Sequence, residues 1–276
     1  MIKEREENRS NRKLWDDLYN GFNNSICKDC YKQKPNDKTI SFPQPIQYIG
    51  PQFFNDDYRL TFVGIETYTN DPRETSEIVR HNPFNLETTR EKFYKSRSPF
   101  WAWIRKISQE IVAKDKIFLS TRMAYVFERI AWTNLLKCQC RSGNDLSRST
   151  YEFDERVATN CIQKAKWIFH EIERIDARNI IVFSGRAHEY ALARIFLNLS
   201  KDEQVPKFDY TKCDLPSEKI EKWKDRDLFI HLKDANRRFI VTNHPQGTPA
   251  NVREEIIKII KNDLKSPTYW KMPHKK

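Results

Sequence analysis

Short hydrophobic runs alternate along the chain with stretches of helical periodicity. The runs are rich in β-prone residues, and they lie at residues 59–64, 130–134, 179–185, 228–230 and 239–242. Such runs predict buried strands. Apolar residues recur at helical spacing in the segments 99–111, 157–175, 190–196 and 252–264. Strands that alternate with helices predict an α/β fold built on a mainly parallel sheet.

Both ends of the chain and two polar stretches fall outside this alternation. Residues 1–57 predict a helix, a Cys-x-x-Cys segment and a proline-rich connection that pack on the core. The core domain is expected over residues 58–266, with insertions at about 70–97 and 201–226. Residues 267–276 are expected to form a basic tail.

The net positive charge of the chain predicts a polyanionic partner. Among 276 residues, 49 are Lys or Arg and 38 are Asp or Glu, so the formal charge is +11. No apolar run reaches the roughly 18 residues of a membrane span, and the first residues lack a signal-type stretch. We therefore expect a cytoplasmic monomer without a membrane partner. A basic excess in such a protein favours DNA or RNA; the alternative is a basic surface that only confers solubility.

Polar residues follow three of the predicted strands. Glu66 comes just after the first strand, Asn134 ends the second, and His244 follows the last. Ligands of parallel sheets bind at the carboxyl ends of the strands. A carboxylate can position water beside a cationic sugar, an imidazole can stabilise a departing group, and an amide can read a base edge. This set predicts removal of a base from a nucleoside; the alternative is that each residue caps the following helix.

A series of motifs links these strand ends in a fixed order. The motifs are Cys27-Lys28-Asp29-Cys30, Gly64-Ile65-Glu66-Thr67-Tyr68, the run from Trp132 to Cys138, Gly143-Asn144, Cys161, Val182-Phe183-Ser184-Gly185 and Asn243-His244-Pro245. Together they resemble the uracil-DNA glycosylase superfamily, most closely its branch that carries an iron–sulfur cluster. The resemblance covers about residues 27–260 and implies a three-layer α/β/α fold around a mainly parallel sheet.

The resemblance also implies a function and a set of residues. It implies a DNA glycosylase that flips out uracil or a modified pyrimidine, such as a bulky modified cytosine of phage DNA. Glu66 would activate water, His244 would stabilise the leaving base, and Asn134 would read the base edge. Further substrate contacts are expected from Gly64, Ile65, Tyr68, Phe100 and Asn243, and DNA contacts from Arg186, Gln246, Gly247, Thr248 and Arg253. In the cluster-bearing branch the acid directly follows the glycine, whereas here Ile65 intervenes.

Two other classes of function are compatible with the sequence. One is a nucleic-acid-binding protein that keeps the fold and the metal cluster but lacks catalysis. The other is a hydrolase of small nucleosides, whose substrate binding would depend little on salt, whereas phosphate contacts make DNA affinity fall with salt.

Four cysteines match the cluster ligands of the resembling branch. They are Cys27, Cys30, Cys138 and Cys161, and four thiolates are the usual ligands of a [4Fe–4S] cluster. Four cysteines equally suit a structural Zn²⁺, and Cys140 is an alternative to Cys138 as the third ligand. Cys161 also lies on an apolar helix face, where a thiol packs as a small hydrophobe.

Overall fold

The structure is a computed structural model. It describes residues 13–14, 16–17, 26–27, 38–40, 46–66, 93–112, 119–136, 140–142, 159–184, 229–233, 237–245 and 248–265. Within these ranges the strands are β1 (Lys38–Ile40), β2 (Tyr48–Ile49), β3 (Leu60–Glu66), β4 (Ile130–Leu136), β5 (Cys140–Ser142), β6 (Asn179–Val182), β7 (Phe229–Lys233) and β8 (Arg238–Thr242). The α-helices are α1 (Pro99–Ile111), α2 (Leu119–Phe127), α3 (Trp167–Arg174) and α4 (Ala250–Lys265), with a 3-10 turn at Phe53–Asn55 and a π-helical segment at Thr159–Lys164.

The central sheet has the strand order β2-β4-β3-β6-β8-β7. Strand β3 runs parallel to β6, with Val63 opposite Val182, and β6 runs parallel to β8, with Val182 opposite Val241. The side chains of these strands whose burial is described are buried, and most of them are apolar, as expected of parallel strands covered on both faces. The prediction of an α/β fold with a mainly parallel central sheet is confirmed at this level.

The edge strands of this sheet run antiparallel to their neighbours. Strand β7 pairs antiparallel with β8, because residues 234–237 are too few for the crossover that parallel pairing needs. At the other edge, the amide of Gln47 donates to the carbonyl of Trp132 and that of Gly50 to Ile130, each at 2.9 Å. As the chain advances from Gln47 to Gly50, the residue that accepts the hydrogen bond moves back from Trp132 to Ile130. Strand β2 is therefore antiparallel to β4. The sheet is therefore mixed.

The helix predicted over residues 157–175 is wrong as a single element. The amide of Ala165 donates to the carbonyl of Asn160, five residues back, and closes a π-helical segment. Lys166 then has a φ of 53°, a left-handed conformation that breaks the helix before α3 begins at Trp167. Apolar residues on both sides of the break are buried. The periodicity thus predicted correctly that these apolar side chains are buried, but it did not predict that the helix is interrupted.

Helix α1 begins and ends where the sequence predicts. Ser98 occupies the N-cap position and Pro99 the first helical position, where its missing amide costs no hydrogen bond. Its apolar face is buried, while two ion pairs, Lys106 with Glu254 and Lys261 with Glu110, link it to α4. These side chains are largely exposed, so apolar burial and not charge pairing holds the two helices together.

The chain forms two compact units whose segments interleave along the sequence. The first unit comprises Met1–Ile49, Gly64–Asn85 and Trp132–Asp176, and the second comprises Gly50–Val63, Leu86–Ala131 and Ala177–Lys276. The domain bounds expected from the sequence stay a prediction. The expected helix around 190–196, the insertion 201–226 and the tail 267–276 lie outside the described residues, as does most of the insertion 70–97. In the part of the chain that is described, no helix has the length and apolarity to cross a membrane.

Candidate functional site

An aromatic cluster in the second unit holds Phe100 at the start of α1. The ring of Phe100 lies edge-to-face against Phe183, with centroids 5.7 Å apart, and against Trp101 at 5.5 Å. Phe183 directly follows β6 and stacks on Phe62 of β3 at 6.0 Å. Phe183 is fully buried, whereas Phe100 is partly exposed. The sheet therefore anchors an aromatic ring that still reaches solvent.

Arg105 orders the turn that leads into Phe100. Its guanidinium donates to the carbonyl of Phe93 at 2.6 Å and to that of Ser96 at 2.8 Å. Burial lowers the pKa of this guanidinium below its ordinary value. Sequence reasoning missed Arg105 because a basic residue on an amphipathic helix reads as solvent-facing. Lys95 and Arg97, directly before α1, are exposed and add positive charge beside Phe100.

The loop after β8 carries the predicted imidazole. His244 is half-buried two residues beyond the strand, and its carbonyl accepts a 2.7 Å hydrogen bond from the hydroxyl of Thr248. Thr248, predicted to contact DNA, thus stabilises the loop through its hydroxyl. Arg253 is half-buried in the first turn of α4, where its amide donates to the carbonyl of Pro249 at 2.9 Å. The preceding Asn243 is half-buried as well.

Phe183, which contacts Phe100, and His244 follow neighbouring strand ends of the second unit. Because Val182 of β6 lies opposite Val241 of β8, Phe183 and the segment leading to His244 leave the sheet at the same edge. That edge is formed by the carboxyl ends of two parallel strands, where such sheets bind ligands. An aromatic platform and an imidazole therefore come from adjacent positions of this edge.

In the first unit, the buried amide of Asn134 lies near the carboxyl end of β4. Asn134 is 3% exposed, and the hydroxyl of its neighbour Thr133 donates to the carboxylate of Glu171 at 2.7 Å. Glu171 lies on α3 and is 1% exposed. Thr133 and Asn134 point to opposite faces of the sheet, since side chains alternate along a strand. The burial of Glu171 has a sequence signal, because Glu171 interrupts the apolar stripe of its helix between Ile168 and Ile172.

The motif that carries the predicted catalytic acid ends β3. Gly64, Ile65 and Glu66 are the last residues of that strand, and Gly64 is buried. Glu66 is therefore the last residue of a central strand, whereas the sequence predicted a strand that ends two residues earlier. Other predicted substrate or DNA contacts lie outside the described residues, namely Tyr68, Arg186, Gln246 and Gly247.

The predicted metal ligands all belong to segments of the first unit. Cys161 is 5% exposed in the π-helical segment, Cys27 is half-buried in a helical turn, and neither forms a disulfide. Cys30 and Cys138 lie outside the described residues. Strand β1 pairs antiparallel with β5, with Ile40 opposite Cys140. Among the described residues no group of three or more potential metal ligands occurs.

Strands β1 and β5 bring two of the cysteine-bearing segments of the first unit together in a small sheet. The β1–β5 pairing ties the chain that follows Cys27 and Cys30 to the chain that follows Cys138. Cys161 is buried in the same unit, and reduced thiols are the form that binds iron or zinc. Thiolate is the donor type that an iron–sulfur cluster or a structural zinc takes.

A scan of protein-family models and a search of curated proteins gave no match to this chain.

Proposed function

We propose that the protein is a DNA glycosylase that flips uracil or a modified pyrimidine, such as a bulky modified cytosine of phage DNA, out of DNA. It hydrolyses the N-glycosidic bond and leaves an abasic site. One observation carries the proposal: a partly exposed Phe100 is anchored on Phe183, and His244 leaves the neighbouring parallel strand at the same edge. An aromatic platform beside an imidazole suits a flipped base whose glycosidic bond is to be broken.

The proposed reaction is hydrolytic and gives each strand-end residue one role. A water molecule attacks C1′ of the sugar, the bond from C1′ to the base breaks, and the proton of the water passes to the carboxylate of Glu66. The bonding electrons leave with the base, whose developing negative charge His244 stabilises. The amide of Asn134 offers a donor and an acceptor to the base edge. Glu66 ends β3, Asn134 lies two residues before the end of β4, and His244 lies two residues beyond β8; this placement supports the division of roles.

The proposed fold is the three-layer α/β/α arrangement of the uracil-DNA glycosylase superfamily. The parallel pairs of β3, β6 and β8 support it, as does α1, which covers the sheet through Trp103 and Phe183. The exposed Lys95 and Arg97 beside Phe100 favour a polyanionic substrate over a free nucleoside.

The proposed cofactor is a [4Fe–4S] cluster, with Zn²⁺ as the alternative. Cys27, Cys30, Cys138 and Cys161 would hold it, and Cys140 is the alternative to Cys138. When bound, the cluster would cross-link distant segments of the first unit. Support comes from the buried Cys161 and from the β1–β5 pairing that ties two of the cysteine-bearing segments together.

Base release from defined DNA tests the proposed function. Purified protein is incubated with single- and double-stranded DNA containing uracil or modified cytosines, and released bases are identified by mass spectrometry. We expect one base class to be released, and Glu66→Gln and His244→Gln to slow its release by about 100-fold or more. His170→Gln is the matched control, because His170 is an exposed imidazole on α3. Absence of release from every DNA, with DNA binding retained, would favour a non-catalytic binding protein.

A further inference from the structure

Two buried polar side chains of the second unit have hydrogen-bonding groups that nothing in the proposed mechanism uses. The indole nitrogen Nε1 of Trp103 and the hydroxyl Oγ1 of Thr242 have no hydrogen-bond partner among the residues that the structure describes. Trp103 is 1% exposed and Thr242 is 2% exposed. A buried polar group without a partner costs about 1–3 kcal/mol, which a ligand that forms a hydrogen bond with it would recover.

Both groups lie on the face of the sheet that carries Phe183. Phe62, Ile181 and Ile240 are cross-strand neighbours in register and so point to one face. Two residues further along, Phe183 and Thr242 point to that same face, and the stacking of Phe62 on Phe183 agrees with this. Trp103 covers the face from α1, with its ring 5.5 Å from that of Phe183.

The depth of these groups relative to Phe100 suggests what their partner is. Phe100 and Trp103 are three residues apart on α1, so they share one side of the helix, and both contact Phe183. Phe100 is partly exposed, whereas Trp103 and Thr242 are buried. A base that stacks on Phe100 would therefore extend a substituent inward, toward the indole and the hydroxyl.

We propose that Trp103 Nε1 and Thr242 Oγ1 form an inner subsite for an oxygen-bearing substituent on the pyrimidine. The indole N–H only donates a hydrogen bond, whereas the threonine hydroxyl donates or accepts. A substituent hydroxyl is complementary to this pair, since it accepts from the indole and donates to the threonine. This inference rests on the proposed function, in which Asn134 takes the edge of the base and leaves the substituent to other groups.

The test compares bases that differ by one oxygen atom. Duplexes of one sequence carry uracil, thymine or 5-hydroxymethyluracil, and binding is measured in the Glu66→Gln background so that the bases are not released. We expect the hydroxymethyl base to bind more tightly than thymine. Trp103→Phe and Thr242→Val keep the ring and the volume but remove the polar atoms, and each should reduce this preference by about three- to tenfold. An unchanged preference in both variants would overturn the subsite.

The contact of Trp103 with the substituent can also be tested by NMR, without comparing the affinities of two duplexes. The chain has seven tryptophans, and Trp103→Phe identifies the indole N–H resonance of Trp103 in a ¹⁵N spectrum. That resonance should shift on addition of the 5-hydroxymethyluracil duplex and shift less with the thymine duplex. Equal shifts with both duplexes would indicate that the indole binds a structural water, which contradicts the proposal.

A control variant and the activity assay distinguish failure of the subsite from failure of the proposed function. Thr61→Val removes another fully buried hydroxyl that lacks a partner among the described residues, but Thr61 lies at the amino end of β3 on the opposite face. It should leave the preference unchanged. If wild-type protein releases no base from any duplex, the proposed function fails. If it releases bases but Trp103→Phe and Thr242→Val leave discrimination intact, only the subsite fails.

Discussion

The hydroxyl of Thr133 donates a 2.7 Å hydrogen bond to the carboxylate of Glu171, and both side chains are buried. The bond joins the middle of β4 to α3. It holds the strand at the residue directly before Asn134, the proposed reader of the base edge. The bond gives one oxygen of the buried Glu171 carboxyl group a polar partner, which lowers the cost of burying that group.

Replacing Thr133 with Val should destabilise the protein. The variant removes a donor to a buried carboxylate at nearly constant volume, and the expected loss is about 1–3 kcal/mol in the free energy of unfolding by urea. Thr133→Ser keeps the hydroxyl and should lose less. Thr61→Val should be close to neutral, since no described residue bonds that hydroxyl. Equal stabilities of the Val and Ser variants at position 133 would show that the hydrogen bond is unimportant.

Replacing Phe100 with Leu should weaken substrate binding without unfolding the protein. Base stacking on an aromatic ring contributes about 1–3 kcal/mol, so kcat/KM for base release should fall roughly five- to a hundredfold. Phe54→Leu is the matched control, because Phe54 is also half-buried and lies edge-to-face on Phe53 at 5.4 Å. A Phe100 variant as active as the control would exclude Phe100 as the stacking platform.

Replacing Cys161 with Ser should remove the proposed cluster. Wild-type protein should be brown and contain about four iron and four sulfide ions, as expected of a [4Fe–4S] centre. The variant should lose the visible absorption and most of the iron. Cys213→Ser, in the charged insertion, should keep both. Colourless wild-type protein with one equivalent of zinc would favour the zinc alternative, and metal retained by the Cys161 variant would exclude Cys161 as a ligand.

Replacing Gly50 with Ala should destabilise the edge of the sheet. A Cβ at Gly50 would lie 2.2 Å from the carbonyl oxygen of Glu128 and 2.9 Å from that of Phe127. Both are backbone atoms, so the chain must move, at an expected cost of about 1–3 kcal/mol or more. The Glu128 carbonyl also accepts from the amide of Gln52 at 2.8 Å, a bond that this movement would disturb. A midpoint of urea unfolding unchanged from wild type would contradict the close approach.

Asp56 should make the fold less stable as the pH rises through its titration. Burial raises the pKa of Asp56 above its ordinary 3.8, against the opposing effects of the Tyr58 amide and of Arg129. A carboxyl with a raised folded-state pKa stabilises the fold below its unfolded-state pKa, and this stability is lost as the pH rises through the folded-state pKa. Asp56→Asn should therefore gain stability relative to wild type between acidic and neutral pH. The measurement is urea unfolding across this pH range.

A distant exposed carboxyl provides the control for Asp56. Glu173 is exposed on α3 and is not among the groups that shift the pKa of Asp56, so Glu173→Gln changes the net charge equally without altering that buried group. The same pH trend in both variants would attribute the effect to overall charge and would contradict a specific effect of Asp56 burial.

The sequence alone predicted the regular elements whose determinants are local. Helix α1 runs over Pro99–Ile111 as expected, because a proline at the first position and an apolar stripe define it without reference to other segments. The strands that become β3, β6 and β8 were likewise predicted, since each is a short β-prone apolar run. The positions of Glu66, Asn134 and His244 at or near strand ends follow from those runs.

Tertiary structure decided the features that depend on contacts between distant segments. The apolar stripe over 157–175 did not reveal the break at Lys166, because burial is preserved on both sides of it. The closeness of Gly50 to Glu128, the clamp of Arg105 and the pairing of Thr133 with Glu171 join residues that no periodicity relates. Likewise, Trp103 and Thr242 are ordinary members of their elements in sequence. They become candidate ligand contacts only when the sheet register and α1 bring them to one face beside Phe183.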